Sequence, residues 1–213
     1  MTSVLLVDDH PIVRKGLSAV LAETNDVHVI GEASNGNEAL EKARSGKPDL
    51  ILLNISMPGK DGLEVLKQLH LEMPHVKALI LSAFSERQYA LRCLKAGAQG
   101  YLTKQCALDE LLNAIRKVTA GGRYISAALA DLLAAEIDTR ASSEPHERLS
   151  DREFQVLCLL GQGKSVAQIS QILSISNSAV SKYRAQVLHK LNLKTTVELI
   201  RYAFDNDLVG PVD

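Results

Sequence analysis

The sequence predicts two domains, a doubly wound five-stranded parallel α/β sheet followed by a small all-α unit of four helices. Three observations predict this. The first 121 residues alternate strand-length apolar runs with amphipathic stretches, residues 138–147 are polar and contain Pro145, and from Leu149 onward only helical patterning occurs. The length of 213 residues suits two units of about 120 and 65 residues better than one.

Residues 4–7, 49–53 and 78–81 are continuous Leu/Ile/Val-rich runs, which read as strands buried on both faces. Residues 27–33 and 100–102 are weaker strand candidates. Helical patterns lie between them at residues 12–23, 37–45, 63–71, 87–96 and 108–120, the last closed by Gly121 and Gly122. Five such alternations imply right-handed crossovers. An Ala/Leu-rich, helix-prone stretch at 126–137 opens a linker spanning 122–147, whose second half reads as exposed. In the C-terminal unit, 148–213, Ser150 and Glu153 form a capping box for a helix over 152–160, closed by Gly161 and Gly163. Ser165 caps 167–173, Ser176 or Asn177 caps a long helix to about Leu191, and Thr195 or Thr196 caps 197–205.

Composition narrows the function. No apolar run approaches the roughly 18 residues needed to cross a bilayer, and MTSVLLVDDH places two acids where a secretory signal would continue apolar. Cys93, Cys106 and Cys158 are odd in number and widely spaced, consistent with thiols in a reducing compartment. A cytoplasmic location with no membrane partner is expected. The net charge is −1, but residues 148–213 hold 8 Lys/Arg against 6 Asp/Glu. That mild excess would not by itself establish a nucleic-acid partner.

In doubly wound sheets the functional crevice lies beyond the carboxyl ends of the strands. Asp8 and Asp9 follow the first strand, Asn54 the third, Ser82 the fourth and Lys104 the fifth. Adjacent carboxylates suit a hard divalent cation such as Mg²⁺. A lysine and a hydroxyl suit the oxygens of a transferring phosphoryl group. The plainer reading, Asp8-Asp9 capping the first helix with Pro11 at its start, leaves Ser82 and Lys104 unexplained.

The segments VLLVDDHP, DLILLNISMPGKDGLEVL, LILSA and KAGAQGYLTK resemble the response-regulator receiver family, over residues 2–121. The resemblance implies a flavodoxin-like receiver. It implies Mg²⁺ held by Asp8, Asp9, the side chain at position 54 and the Ser56 carbonyl. Ser82 would follow the phosphoryl group, Tyr101 would rotate with it, and Lys104 would pair with phosphate; a half-buried strand aromatic is the plainer reading of Tyr101. Met57-Pro58-Gly59 resembles the loop beside the acceptor, while Gln105 stands where many receivers have proline. The main departure is Asn54, at the position of the family's nucleophilic aspartate. A neutral amide is a poor nucleophile and forms no acyl phosphate, and it weakens the cation site by one negative charge. Two origins account for it: a natural phosphate-independent pseudo-receiver, or an engineered Asp→Asn change. The presence of every other pocket residue favours the second. A haloacid-type phosphatase is a remote rival that would itself need an aspartate here.

In the C-terminal unit, the helices at 165–173 and 176–191 flank a tight turn around residues 174–176, the spacing of a helix-turn-helix. Val180, Val187, Leu188 and Leu191 form an apolar stripe, with Ser178, Ser181, Lys182, Arg184, Ala185 and His189 off it and Lys190 and Lys194 at the end. A plain four-helix interaction domain with a solvated polar face has the same periodicity. The run from LSDREF to TTVELI, however, resembles the LuxR-type helix-turn-helix. It implies base contacts from Ser181, Lys182 and Ala185 and phosphate contacts from Tyr183 and Lys190. The last helix, with Val197, Leu199, Ile200 and Ala203, is the expected dimer seam; packing onto its own domain is the alternative.

The combination resembles the NarL/FixJ class of response regulators. That implies a homodimer on a near-palindromic double-stranded DNA operator and a cognate sensor histidine kinase, with RNA polymerase as a further conceivable partner. It implies a transcription regulator, not an enzyme, with Asn54 holding the receiver unphosphorylated.

Overall fold

The computed structural model describes residues 1–138, 144–206 and 208–209. The chain divides into two compact units, residues 1–127 and 128–213. In the first, five strands form one parallel sheet in the order β2-β1-β3-β4-β5, where β1 is Thr2–Val7, β2 Val27–Ala33, β3 Leu50–Leu53, β4 Lys77–Ser82 and β5 Gly100–Thr103. The helices α1 (Pro11–Ala22), α2 (Gly36–Gly46), α3 (Gly62–Glu72), α4 (Glu86–Lys95) and α5 (Leu108–Thr119) alternate with them. All four residues of β3 are buried, as a strand covered on both faces requires. The strand order reverses between β1 and β3, and the Asn54 N–H donates to the Val7 carbonyl at 2.8 Å. The residues following these two strands therefore share one edge.

Local chemistry sets the helix starts. Asn35 accepts from the Glu38 N–H, Asp61 and Glu64 form a reciprocal capping box, and Pro11 opens α1. The first unit continues past residue 121. Tyr124 bridges to Gly100 and donates its N–H to the Gln99 carbonyl, strapping the outer edge of β5. Its hydroxyl donates to Glu110 on α5, while Ser126 donates to Glu86 on α4. A Cβ on Gly100 would meet the Tyr124 Cβ at 2.8 Å and its carbonyl oxygen at 2.9 Å, so the strap requires glycine there.

Helix α6 (Ala127–Asp138) occupies the helix-prone stretch, and residues 139–143 of the expected exposed linker lie outside the described residues. The end of that linker is not wholly irregular. Pro145–Arg148 forms a 3-10 turn, with His146 6.1 Å from the Phe154 ring and its Nδ1 3.1 Å from the Tyr202 hydroxyl. The helices α7 (Asp151–Gly161), α8 (Val166–Leu173), α9 (Asn177–Lys190) and α10 (Thr196–Asp205) then form the second unit, capped by Ser150, Ser165, Ser176 and Thr195. Gly163, at φ +74°, turns the chain after α7. Helix α7 packs against α9 and α10, and α8 against α9. Ile169, Leu173, Val180, Val187, Leu199 and Ala203 are fully buried.

Candidate functional sites

The strand-end pocket is built from the ends of β1, β3, β4 and β5. Asp8 is buried, and its Oδ2 lies 2.5 Å from Lys104 Nζ. The Lys104 backbone N–H donates to the Ser82 carbonyl at 2.7 Å, holding the ends of β4 and β5 together. Asn54, also buried, donates from Nδ2 to Asp9 Oδ1 at 3.0 Å and to the Ser56 carbonyl at 2.8 Å. Gly62 permits this loop to close, because a Cβ there would collide with the Asn54 carbonyl oxygen. Asp8, Asp9, Asn54, Ser56 and Lys104 therefore meet in one place.

Two oxygens, from Asp9 and Ser56, converge on the same amide nitrogen. The donor set is the hard-oxygen kind that fits Mg²⁺, but the amide presents N–H where a carboxylate would present a lone pair. A cation here would have to displace two hydrogen bonds and turn the amide so that its oxygen faces inward.

Ser82 and Tyr101 are fully buried and linked through one residue. The Tyr101 hydroxyl donates to the Phe84 carbonyl at 2.8 Å, and the Phe84 N–H donates to Ser82 Oγ at 3.2 Å. Tyr101 is thus wholly inside, unlike the half-buried strand aromatic of the plainer reading. Phe84, which stacks on Tyr89 at 4.5 Å, joins the two switch candidates and carried no sequence signal of its own.

Sequence reasoning also missed His10. Its Nδ1 lies 3.1 Å from Asp8 Oδ1 and 2.9 Å from Asp9 Oδ1, and its backbone N–H donates to Asp8 Oδ1. Asp8, Asp9 and His10 form a group able to hold a metal ion. The Asp-Asp-His run was visible, but only the backbone turn at the start of α1 folds the imidazole back over both carboxylates. Arg14 adds a hydrogen bond from its guanidinium to the Asp8 carbonyl.

In the second unit, α8 and α9 are joined through Ser174, which is left-handed at φ +52°, and Ser170 Oγ donates to the Ile175 carbonyl at 2.6 Å. Ser178, Lys182, Ala185 and His189 are exposed and share one helical face at spacings of four, three and four. Ser181, Tyr183 and Arg184 are half-buried beside it, and Lys194 is exposed just beyond. The buried stripe comprises Val180, Val187 and Leu191, while Leu188 is only half-buried.

One expectation is corrected. Leu199 and Ala203 are fully buried within their own unit, where α10 packs on α7, so they offer no surface to a second chain. The exposed apolar face of α10 is instead Val197 and Phe204, with half-buried Ile200 between them. Lys190, exposed at the end of α9, pairs its Nζ with Glu153 Oε2 at 2.7 Å.

Residues 4–116 match the response regulator receiver domain family, and residues 147–203 match the luxR family of bacterial regulatory proteins. The chain belongs to the NarL/FixJ class of response regulators. The regulator is 38% identical over 210 residues to the response regulator GacA of Pseudomonas viridiflava, covering 98% of each chain. It is 36% identical to the response regulator UvrY of Escherichia coli K12, covering 98% of this chain and 96% of that one. A solved complex of the two-component response regulator RcsB with DNA is similar at 25% identity and a TM-score of 0.60, covering 95% of this chain and 98% of that one. The regulator is a DNA-binding protein of a two-component system and not an enzyme. Among the described residues no helix is long and apolar enough to cross a membrane.

Proposed function

We propose that the regulator is a phosphorylation-gated transcription factor held in its unphosphorylated state by Asn54, an engineered replacement for the family's aspartate. The carrying observation is the Asn54 amide, which donates to Asp9 and Ser56 inside an otherwise complete pocket. Asp8, Asp9, the Ser56 carbonyl and the turned amide oxygen would hold Mg²⁺, more weakly than with a carboxylate at position 54. When bound, the cation neutralises the oxygens of an incoming phosphoryl group. Lys104 supplies a second positive charge at that point. Ser82 donates its hydroxyl to a phosphoryl oxygen, and as its side chain moves it draws on the Phe84 loop that also anchors the Tyr101 hydroxyl. The change biases a two-state face of the receiver toward the active population. Residues 1–121 serve as the receiver, 122–147 as the linker and 148–213 as the DNA-binding domain.

The regulator works in the cytoplasm, receives phosphate from a cognate sensor histidine kinase and binds a near-palindromic duplex as a homodimer, with RNA polymerase as the machinery it acts on. Ser178, Ser181, Lys182, Arg184, Ala185 and His189 face the bases, and Tyr183 and Lys194 face the backbone. Val197, Ile200 and Phe204 form the seam.

The test is a titration of an operator obtained by in vitro selection, comparing this chain with its Asn54→Asp variant, each with and without acetyl phosphate and Mg²⁺. Gain of affinity only in the phosphorylated variant is the expected result. If neither protein responds and this chain already binds tightly, the receiver is a phosphate-independent pseudo-receiver and the gating is wrong. The chromosomal gene is expected to encode aspartate at this position.

A further inference from the structure

Lys190 lies in the last turn of α9, where the family resemblance assigns it to DNA phosphate. Its ammonium instead meets Glu153 Oε2 at 2.7 Å, and the Glu153 side chain is only 4% exposed. The same carboxylate oxygen accepts the Ser150 backbone N–H at 2.7 Å. One buried oxygen thus joins the start of α7, the first α-helix after the linker, to the end of the recognition helix 37 residues away. Burial pushes the Glu153 carboxyl up, but the bonds from Lys190 and Ser150 outweigh it and hold the group below the usual carboxylate range.

We infer that Lys190 is a positioning residue, not a phosphate contact. Its ion pair with Glu153 sets the angle at which Ser178, Lys182, Ala185 and His189 meet the base edges. Swinging the ammonium out to DNA would strand the Glu153 charge in a buried site, and a buried unpaired charge is strongly unfavourable. Lys194 differs: it is exposed, and its backbone N–H, not its ammonium, donates to Glu198. Phosphate contacts supply the salt-dependent binding common to any duplex, whereas orientation of the reading face matters only on the operator. The inference rests on α9 being the helix that enters the major groove.

The test uses the full chain with a selected operator and an unrelated duplex, each titrated across a salt series. The variants are Lys190→Gln, Glu153→Gln, their double, Lys190→Arg, Lys194→Gln and Lys182→Gln. Glutamine at 153 retains an acceptor for the capping box while removing the charge. Lys190→Gln and Glu153→Gln are each expected to weaken operator binding about tenfold, the scale of one lost charged hydrogen bond. The double variant is expected to lose no more than either single variant. Affinity for the unrelated duplex and the salt slope should not change, and Lys190→Arg should restore operator binding. Lys194→Gln should weaken both duplexes and reduce the salt slope by about one for each bound copy. If Lys190→Gln instead behaves like Lys194→Gln while Glu153→Gln is silent, Lys190 is a phosphate contact and the inference is overturned. Thermal melting separates misfolding from mispositioning, because unfolded protein weakens both duplexes together. Unchanged operator preference in Lys182→Gln would overturn the reading of α9 itself.

Discussion

Placing a carboxylate at position 54 should make the receiver dependent on a divalent cation for its stability. The amide donates two hydrogen bonds, at 3.0 Å to Asp9 and 2.8 Å to Ser56. Asn54→Asp removes both, at about 1 kcal/mol each. It also places a third carboxylate roughly 3 Å from Asp9, where like charges repel by about 5 kcal/mol at an effective dielectric constant near 20. Lys104 beside Asp8 offsets part of this. Protonation sets a ceiling, since neutralising an ordinary aspartate at pH 7 costs about 4 kcal/mol. The two hydrogen bonds alone amount to about 2 kcal/mol, and adding the capped charge cost gives about 6, so with the Lys104 offset the net loss without cation lies between these. For a domain of this size that lowers the midpoint by roughly 10 to 20 °C. Thermal unfolding followed by circular dichroism, in chelator and in excess Mg²⁺, measures it. The variant should melt well below the present chain in chelator and recover most of the difference with Mg²⁺, while the present chain responds weakly. Equal melting of the two proteins in chelator, or an equal response to Mg²⁺, would refute the hydrogen-bond and charge accounting of this pocket.

Other consequences can be measured alongside. Glu38 bonds to Lys42 and to the Ser34 N–H and hydroxyl, which together hold its carboxyl down at about 2. Because the folded value is depressed, its stabilisation is full above the ordinary glutamate range and is lost as pH falls from about 4.5 toward 2. Glu38→Gln should cost about 1 kcal/mol at pH 7, allowing for solvent screening, with the gap in urea midpoint narrowing below about pH 4.5 and closing near pH 2. Gly100→Ala should displace the Tyr124 strap and cost about 1–3 kcal/mol by overpacking, visible as a lower melting point. On α10, Leu199→Ala should cost about 2–4 kcal/mol through a core cavity. The double change Val197→Ser and Phe204→Ser should leave melting nearly unchanged yet weaken cooperative operator binding; a large loss of stability there would place both residues in the domain's own core.

Much of this molecule follows from local chemistry and was legible in the chain. The strands at 4–7, 27–33, 49–53, 78–81 and 100–102 and the ten α-helices among the described residues lie within a few residues of their expected bounds, because periodicity and capping act over one or two turns. The pocket was legible too, since parallel topology carries the residues after β1, β3, β4 and β5 to one edge whatever their distance in sequence. What the sequence did not decide depends on packing between distant segments. The orientation of the Asn54 amide depends on oxygens supplied by Asp9 and Ser56. The reach of His10 over two carboxylates depends on the turn into α1. The pairing of Lys190 with Glu153 depends on how α9 crosses α7, and the burial of Leu199 and Ala203 on how α10 does. Sequence patterning separates apolar from polar faces, but whether an apolar face meets its own domain or another chain is set by the volume left between packed helices. That volume exists only in the assembled tertiary structure.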